Sequence, residues 1–132
     1  MYLGVPIFWA VEGRTVWIQN WIPGLIQQLV PNPLAELRTD PPSEYVHGTF
    51  FHDADKQLIL VQLLDAVQLA TRGELRPTPP IEISIDTRRL RVTAAQTVCP
   101  NTKDLQVTQR DGRTRIVLEK PDRYTALYLK LG

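Results

Sequence analysis

The sequence predicts a mainly β protein, in which an antiparallel β-sandwich follows an amino-terminal β-hairpin and one short helix. Three observations lead to this prediction. Short segments with alternating apolar and polar residues fill the chain from residue 44 onward. Most of the 11 prolines stand between those segments, where a strand must end. Asp111 and Gly112 join two alternating segments, which is the pattern of a type I′ hairpin.

The first 40 residues are predicted to form a hairpin–helix extension. The same elements would also be expected of the last part of an α/β domain. Glu12 and Gly13 separate two apolar segments and would form the hairpin loop. Asn20 suits the N-cap of a helix that Pro31 would end. Both faces of the hairpin are apolar, which predicts an interface with a second copy or with a partner protein. Four aromatic residues would form it: Phe8, Trp9, Trp17 and Trp21.

Residues 41–132 are predicted to form the sandwich, with about seven strands in an immunoglobulin-like arrangement. Segment 81–86 alternates clearly, with its three isoleucines expected to face the core. Segment 124–131 sets threonine and leucines on one face against Tyr124 and Tyr128 on the other. The long, proline-containing connection over residues 65–80 is expected to cross between the two sheets.

Composition excludes several classes of function. The chain has 132 residues, of which 43% are hydrophobic and 22% charged, as expected for one ordinary domain. Its formal net charge of +1 argues against a nucleic-acid partner held by a positive field. No segment is apolar enough to predict a membrane helix, and the start lacks the basic region of a signal peptide. With one cysteine and therefore no intrachain disulfide, a cytoplasmic location is favoured.

The sequence contains no recognisable catalytic constellation. The aspartates fall at strand ends and turns, where their side chains hydrogen bond nearby backbone amides. His47 and His52 lie five residues apart on one predicted strand and would point to opposite faces, unless Gly48 forms a bulge between them. We therefore predict no catalytic residue, no metal ligand and no cofactor.

Aromatic side chains are the remaining candidates for a binding site, because sugar rings stack on exposed Trp and Tyr. Trp21 lies in the predicted helix, and Tyr124 and Tyr128 share one face of the last predicted strand. Burial in a core or interface is the more frequent fate of such residues. A carbohydrate-binding site at these three residues is therefore kept as the alternative function.

The order of segments along most of the chain carries a family resemblance. The segments are GRTVWIQNWIPGLIQQLVPNPLAEL, GTFFHDADKQLILVQLLDA, RPTPPIEISI, the Asp-Gly hairpin and EKPDRYTALYLKL. Together they resemble the carboxy-terminal part of large bacterial β-galactosidase-like glycoside hydrolases. In that family a TIM-barrel catalytic domain is followed by an amidotransferase-like α/β domain used in oligomerisation, and then by a small β-sandwich.

The resemblance implies a non-catalytic accessory or assembly module. The catalytic glutamates of the family belong to the barrel, so no catalytic residue carries over to this chain. Two positions depart from the family pattern: Gln62 stands where histidine is common and Asp65 where asparagine is common. Any role that the family gives to that strand is therefore not transferred.

Overall fold

The computed structural model describes residues 28–29, 32–66 and 76–132 of the chain. Nine strands lie in these residues and form two antiparallel sheets, which confirms the predicted β-sandwich. The strands are β1 (Ala35–Thr39), β2 (Val46–Asp53), β3 (Leu58–Asp65), β4 (Ile81–Asp86), β5 (Val92–Cys99), β6 (Lys103–Leu105), β7 (Val107–Arg110), β8 (Arg113–Leu118) and β9 (Tyr124–Leu131).

The nine strands divide into a four-stranded sheet and a five-stranded sheet. The order is β1-β4-β8-β7 in the first and β2-β3-β9-β5-β6 in the second. The predicted crossing between sheets is observed, because β3 belongs to the five-stranded sheet and β4 to the four-stranded one. The immunoglobulin-like arrangement of the strands stays a prediction.

The core lies between the sheets and is built by the inward-facing residue of each alternating pair. In β4 all three isoleucines, Ile81, Ile83 and Ile85, are no more than 1% exposed, as predicted. Val61 of β3 and Leu127 of β9 face them from the other sheet and are fully buried. Removing such side chains from water is the main source of stability in a sandwich of this size.

The Asp-Gly hairpin is confirmed. Asp111 has φ of 54° and Gly112 has φ of 72°, and a type I′ turn requires positive φ at both central residues. Arg110 and Arg113 pair directly across the turn.

Three strand boundaries differ from the sequence-based expectation. β1 belongs to the four-stranded sheet, although the predicted boundary at residue 41 places it in the extension. β5 is one strand of eight residues, whereas the sequence segments LRVTA and QTVCPNT predict two short strands there. Register shifts at Val92/Ala94 and Thr97/Cys99 interrupt its alternation and make the pattern look broken.

The segment that was expected to be one strand before the hairpin is two strands in different sheets. β6 ends at Leu105 and β7 begins at Val107, so the chain changes sheet at Gln106. Leu105 and Val107 both pack against the core, one from each sheet. Their spacing of two residues therefore looks like continuous alternation in the sequence.

The predicted hairpin at Glu12-Gly13 and the aromatic residues Phe8, Trp9, Trp17 and Trp21 lie outside the described residues. Of the predicted helix, Gln28 and Leu29 are described, and both are helical. Residues 35–39 of the predicted extension belong to the sandwich as β1, and whether the residues before them form a separate unit stays a prediction. In the described part of the chain, no helix has the length and apolarity needed to cross a membrane.

Candidate functional site

The outer face of the five-stranded sheet carries exposed aromatic and aliphatic side chains. Alternation along β2, β3 and β9 places every second residue on this face. Four of its large side chains are well exposed: Phe51 at 52%, Leu64 at 46%, Tyr124 at 45% and Tyr128 at 42%. With the partly exposed Leu60 they form one surface, called here the aromatic face.

Strand register arranges the aromatic face in two groups, with Gln62 and Ala126 between them. Phe51 pairs with Leu60 across β2 and β3, and Leu60 pairs with Tyr128 across β3 and β9. Four residues further along, Leu64 pairs with Tyr124. Directly opposite residues in antiparallel strands have Cβ atoms about 4.5–5.5 Å apart, so the members of each pair are close neighbours.

A polar pair borders the aromatic face beside Tyr128. Gln96 of β5 lies directly opposite Tyr128, and Asp104 of β6 lies opposite Gln96. The Gln96 Nε2 donates a hydrogen bond of 3.0 Å to Asp104 Oδ1, which fixes the amide. An exposed ring next to an oriented amide and carboxylate offers both a stacking surface and hydrogen-bonding groups to a ligand.

A cleft of about 1010 Å³ opens at one end of the sandwich. Six prolines line it, and seven polar residues complete the lining: Ser43, Glu44, Tyr45, Arg76, Thr78, Glu119 and Lys120. A hydrogen bond from the Tyr45 hydroxyl to the Glu44 carboxylate, together with the negative charge of Glu44, raises the pKa of Tyr45 above 10.0. The rigid proline walls fix the shape of this cleft because each proline has a restricted φ.

Buried polar contacts beside the cleft hold three segments together. Arg76 Nη1 lies 3.2 Å from Asp65 Oδ2, and the Asp65 side chain is fully buried. Arg76 Nη2 donates a hydrogen bond of 2.8 Å to Ser43 Oγ. Arg123 Nη2 donates one of 3.2 Å to the Arg76 carbonyl. Most of these groups satisfy one another, but Arg123 Nη1 and the Oγ1 of the neighbouring Thr78 are buried without a hydrogen-bond partner among the described residues.

The two histidines do not converge. The β2–β3 register runs without interruption from Val46 to Asp53, so Gly48 forms no bulge. His47 and His52 therefore point to opposite faces, as the spacing predicts. Among the described residues, no group of three or more His, Cys, Asp or Glu side chains is placed to hold a metal ion.

The structure brings two of the predicted sugar-binding residues together and adds neighbours that the sequence did not reveal. Tyr124 and Tyr128 share one exposed face, whereas Trp21 lies outside the described residues. Phe51, Leu64 and Gln96 were missed, because β2, β3 and β5 become their neighbours only through strand pairing. Alternation within β2 and β3 would have placed the first two on an outer face, but not beside β9.

No protein-family model and no curated protein matches the sequence. Among solved structures, the chain is similar to alpha-L-fucosidase isoenzyme 2 from Paenibacillus thiaminolyticus, with a TM-score of 0.63 and 15% sequence identity. The similarity covers 93% of this chain and 19% of the fucosidase chain, so this chain spans about a fifth of that protein. At this identity the similarity establishes a shared fold.

Proposed function

We propose that this chain is a non-catalytic accessory module of a glycoside-hydrolase-like protein, with a role in assembly or support. The observation that carries the proposal is the fold similarity, which covers 93% of this chain but only 19% of a fucosidase. A sandwich of this kind is therefore found as a minor part of a larger glycosidase. The sequence resemblance to the carboxy-terminal part of β-galactosidase-like enzymes agrees with that placement.

The chemistry of the described residues supports the same role. The polar groups around Asp65 and Arg76 are engaged with one another, and the Asp65 side chain is fully buried. A glycosidase needs two carboxyl groups that face each other across a substrate cleft. Glu44 and Glu119 both line the cleft described above, but the Glu44 carboxylate already accepts a hydrogen bond from the Tyr45 hydroxyl. We therefore assign the module to support of a neighbouring catalytic body instead of to bond cleavage.

The first experiment assays the purified chain on a panel of nitrophenyl glycosides and then measures its mass by light scattering. The proposal expects no hydrolysis above a buffer blank, and turnover that survives repurification would overturn it. For the assembly role, the double variant Phe8→Ser, Trp9→Ser should dissociate an oligomer formed through the predicted hairpin. Tyr124→Ser with Tyr128→Ser is the matched control, since it removes two aromatic side chains elsewhere.

Carbohydrate binding is a second candidate function, favoured by the ring of Tyr128 exposed beside the fixed Gln96–Asp104 pair. Titration calorimetry against a broad panel of oligosaccharides tests it. Tyr128→Ala should abolish any binding, and Tyr124→Ala should weaken it. Tyr45→Ala, on the cleft, should leave it unchanged. Absence of heat across the whole panel would count against this function, and binding that survives both variants would place it elsewhere.

A further inference from the structure

The four edge strands of the sandwich are protected to very different degrees. An edge strand exposes unpaired N–H and C=O groups, and proteins usually protect it with short length, charge or proline. β6 has three residues and β7 has four, and β7 ends in Arg110. β1 has five residues, carries Glu36 and Arg38 on its outer side and is soon followed by Pro41.

β2 has none of these protections. It is eight residues long, contains no proline and pairs with β3 in an unbroken register. Five of its eight residues are exposed: His47, Gly48, Thr49, Phe51 and His52. Among the described residues, only β3 pairs with it. A long, regular and largely uncharged edge of this kind is suited to the addition of another strand.

We propose that β2 pairs antiparallel with β2 of a second copy of this chain, about a two-fold axis that passes beside Phe50. Self-pairing requires that the strand be complementary to its own reversed sequence. In this register His47 faces Asp53 of the other copy, and the pair occurs twice. On the opposite side of the sheet, the large His52 faces Gly48, which has no side chain.

The charge arrangement selects this register over its neighbours. An imidazole N–H can donate a hydrogen bond to a carboxylate whether the ring is neutral or protonated. Asp53 already accepts a hydrogen bond of 3.0 Å from the Lys56 backbone N–H through Oδ1, and the Lys56 ammonium lies 3.4 Å from its Oδ2. A carboxylate has about four acceptor sites, so His47 of the second copy can still be accommodated. Moving the axis to Thr49 would place His47 opposite Phe51 and lose both pairs.

Pairing through β2 would join two five-stranded sheets into one sheet of ten strands. Phe51, at 52% exposure, would then lie beside Thr49 of the second copy and lose part of its contact with water. The aromatic faces of the two copies would continue across the joint. This inference goes beyond the proposed function, since an accessory module can perform its role with or without self-pairing.

The test compares one substitution at two exposed threonines. Thr49→Lys places a charge in the middle of β2, and Thr102→Lys places the same charge in the loop before β6. Light scattering across a concentration series should show a dimer for the wild-type chain and for Thr102→Lys. Thr49→Lys should raise the dimer dissociation constant by about tenfold or more. Thermal unfolding by circular dichroism should show all three chains folded.

A second pair of variants tests the register. His47→Asp would place a carboxylate opposite Asp53 at both ends of the joint, whereas His52→Asp would place one opposite Gly48. The first should therefore weaken the dimer more than the second. Equal effects from the two variants would overturn the proposed register.

Three results would overturn the inference itself: a wild-type chain that stays monomeric at all concentrations, a dimer that Thr49→Lys leaves intact, or a dimer that only the Phe8→Ser, Trp9→Ser variant dissociates. The last result would assign assembly to the amino-terminal hairpin and leave the proposed accessory function standing. Glycosidase activity of the wild-type chain would instead contradict the proposed function without bearing on β2.

Discussion

The outer faces of the two sheets are built from different kinds of side chain. On the four-stranded sheet, most outward residues are charged: Glu36, Arg38, Glu82, Asp86, Arg110, Arg113 and Arg115. On the five-stranded sheet, the corresponding positions carry the aromatic face. Both sheets contribute isoleucine, leucine and valine to the same core, so the core does not account for the difference.

The charged face is largely satisfied by its own groups. Arg113 Nε donates a hydrogen bond of 2.6 Å to Ser84 Oγ, and its Nη2 lies 3.7 Å from Glu36 Oε1. Arg38 Nη2 donates one of 3.0 Å to the same carboxylate of Glu36. A surface whose polar groups pair locally needs no partner, whereas an apolar surface gains free energy when it is covered. The outer face of the five-stranded sheet is therefore the one that would gain more free energy from being covered.

The largest expected effect concerns Asp65, a buried charged residue of the five-stranded sheet. Asp65 ends β3, faces inward and is fully buried, with Arg76 as an ion-pair partner at 3.2 Å. Arg76→Ala removes that partner and should lower the free energy of unfolding by about 3 kcal/mol, because a buried carboxylate loses compensation. Urea denaturation followed by far-UV circular dichroism measures it, since the three tryptophans lie outside the described strands. Arg89→Ala, at an exposed position, is the control, and equal losses would contradict the structural role of Arg76.

The second prediction tests whether the charged face is held together by Arg113. Arg113→Ala leaves the hydroxyl of Ser84, a residue only 4% exposed, without its donor. We expect a loss of about 1.5 kcal/mol in the free energy of unfolding. Arg110→Ala should change it by less than about 0.5 kcal/mol, since that side chain is exposed and its ion pair with Asp111 is solvated. A larger loss in Arg110→Ala than in Arg113→Ala would reverse this ranking.

Much of the fold could be predicted because several strands carry their own signal. The isoleucines of β4, the alternation of β9 and the Asp-Gly turn each depend only on local sequence. β1 was missed because it is only five residues long and stands between prolines. Its alternation depends on two charged residues, Glu36 and Arg38, which is a weak strand signal. The bulges of β5 were missed because they change the phase of alternation without a distinctive residue.

The candidate site was predictable only within a single strand. Alternation along β9 placed Tyr124 and Tyr128 on one face, and the structure agrees. Which strands flank β9 depends on sheet order, and an alternating pattern carries no information about order. Ser84 shows the same limit. Alternation with the buried isoleucines of β4 predicts that it points outward. That Arg113 covers it and donates a hydrogen bond to it depends on β8 being the neighbour of β4.

A third prediction applies one substitution to both faces. Leu64 and Val117 are similarly exposed, at 46% and 42%, and lie on the outer sides of β3 and β8. Leu64→Lys removes a cross-strand contact with Tyr124 and should lower the free energy of unfolding by about 0.5–1 kcal/mol. Val117→Lys places an ammonium opposite Glu82 and should be neutral to within about 0.5 kcal/mol. Thermal unfolding measures both variants. If the two substitutions lower the free energy of unfolding equally, the two faces do not differ as proposed.

The smallest expected effect lies at Asp53, where β2 ends beside the aromatic face. The hydrogen bond from the Lys56 backbone N–H lowers the pKa of Asp53 below 3.8, and the Lys56 ammonium, 3.4 Å from Oδ2, adds to the shift. Because the folded-state pKa is depressed, the contribution to stability is present above the unfolded pKa and is lost as pH falls through the folded one. Titration of the Asp53 carboxyl by NMR measures it. Lys56→Ala removes the ammonium but keeps the N–H, so most of the depression should remain. A return to 3.8 in that variant would mean that charge, and not the turn's hydrogen bond, sets the pKa.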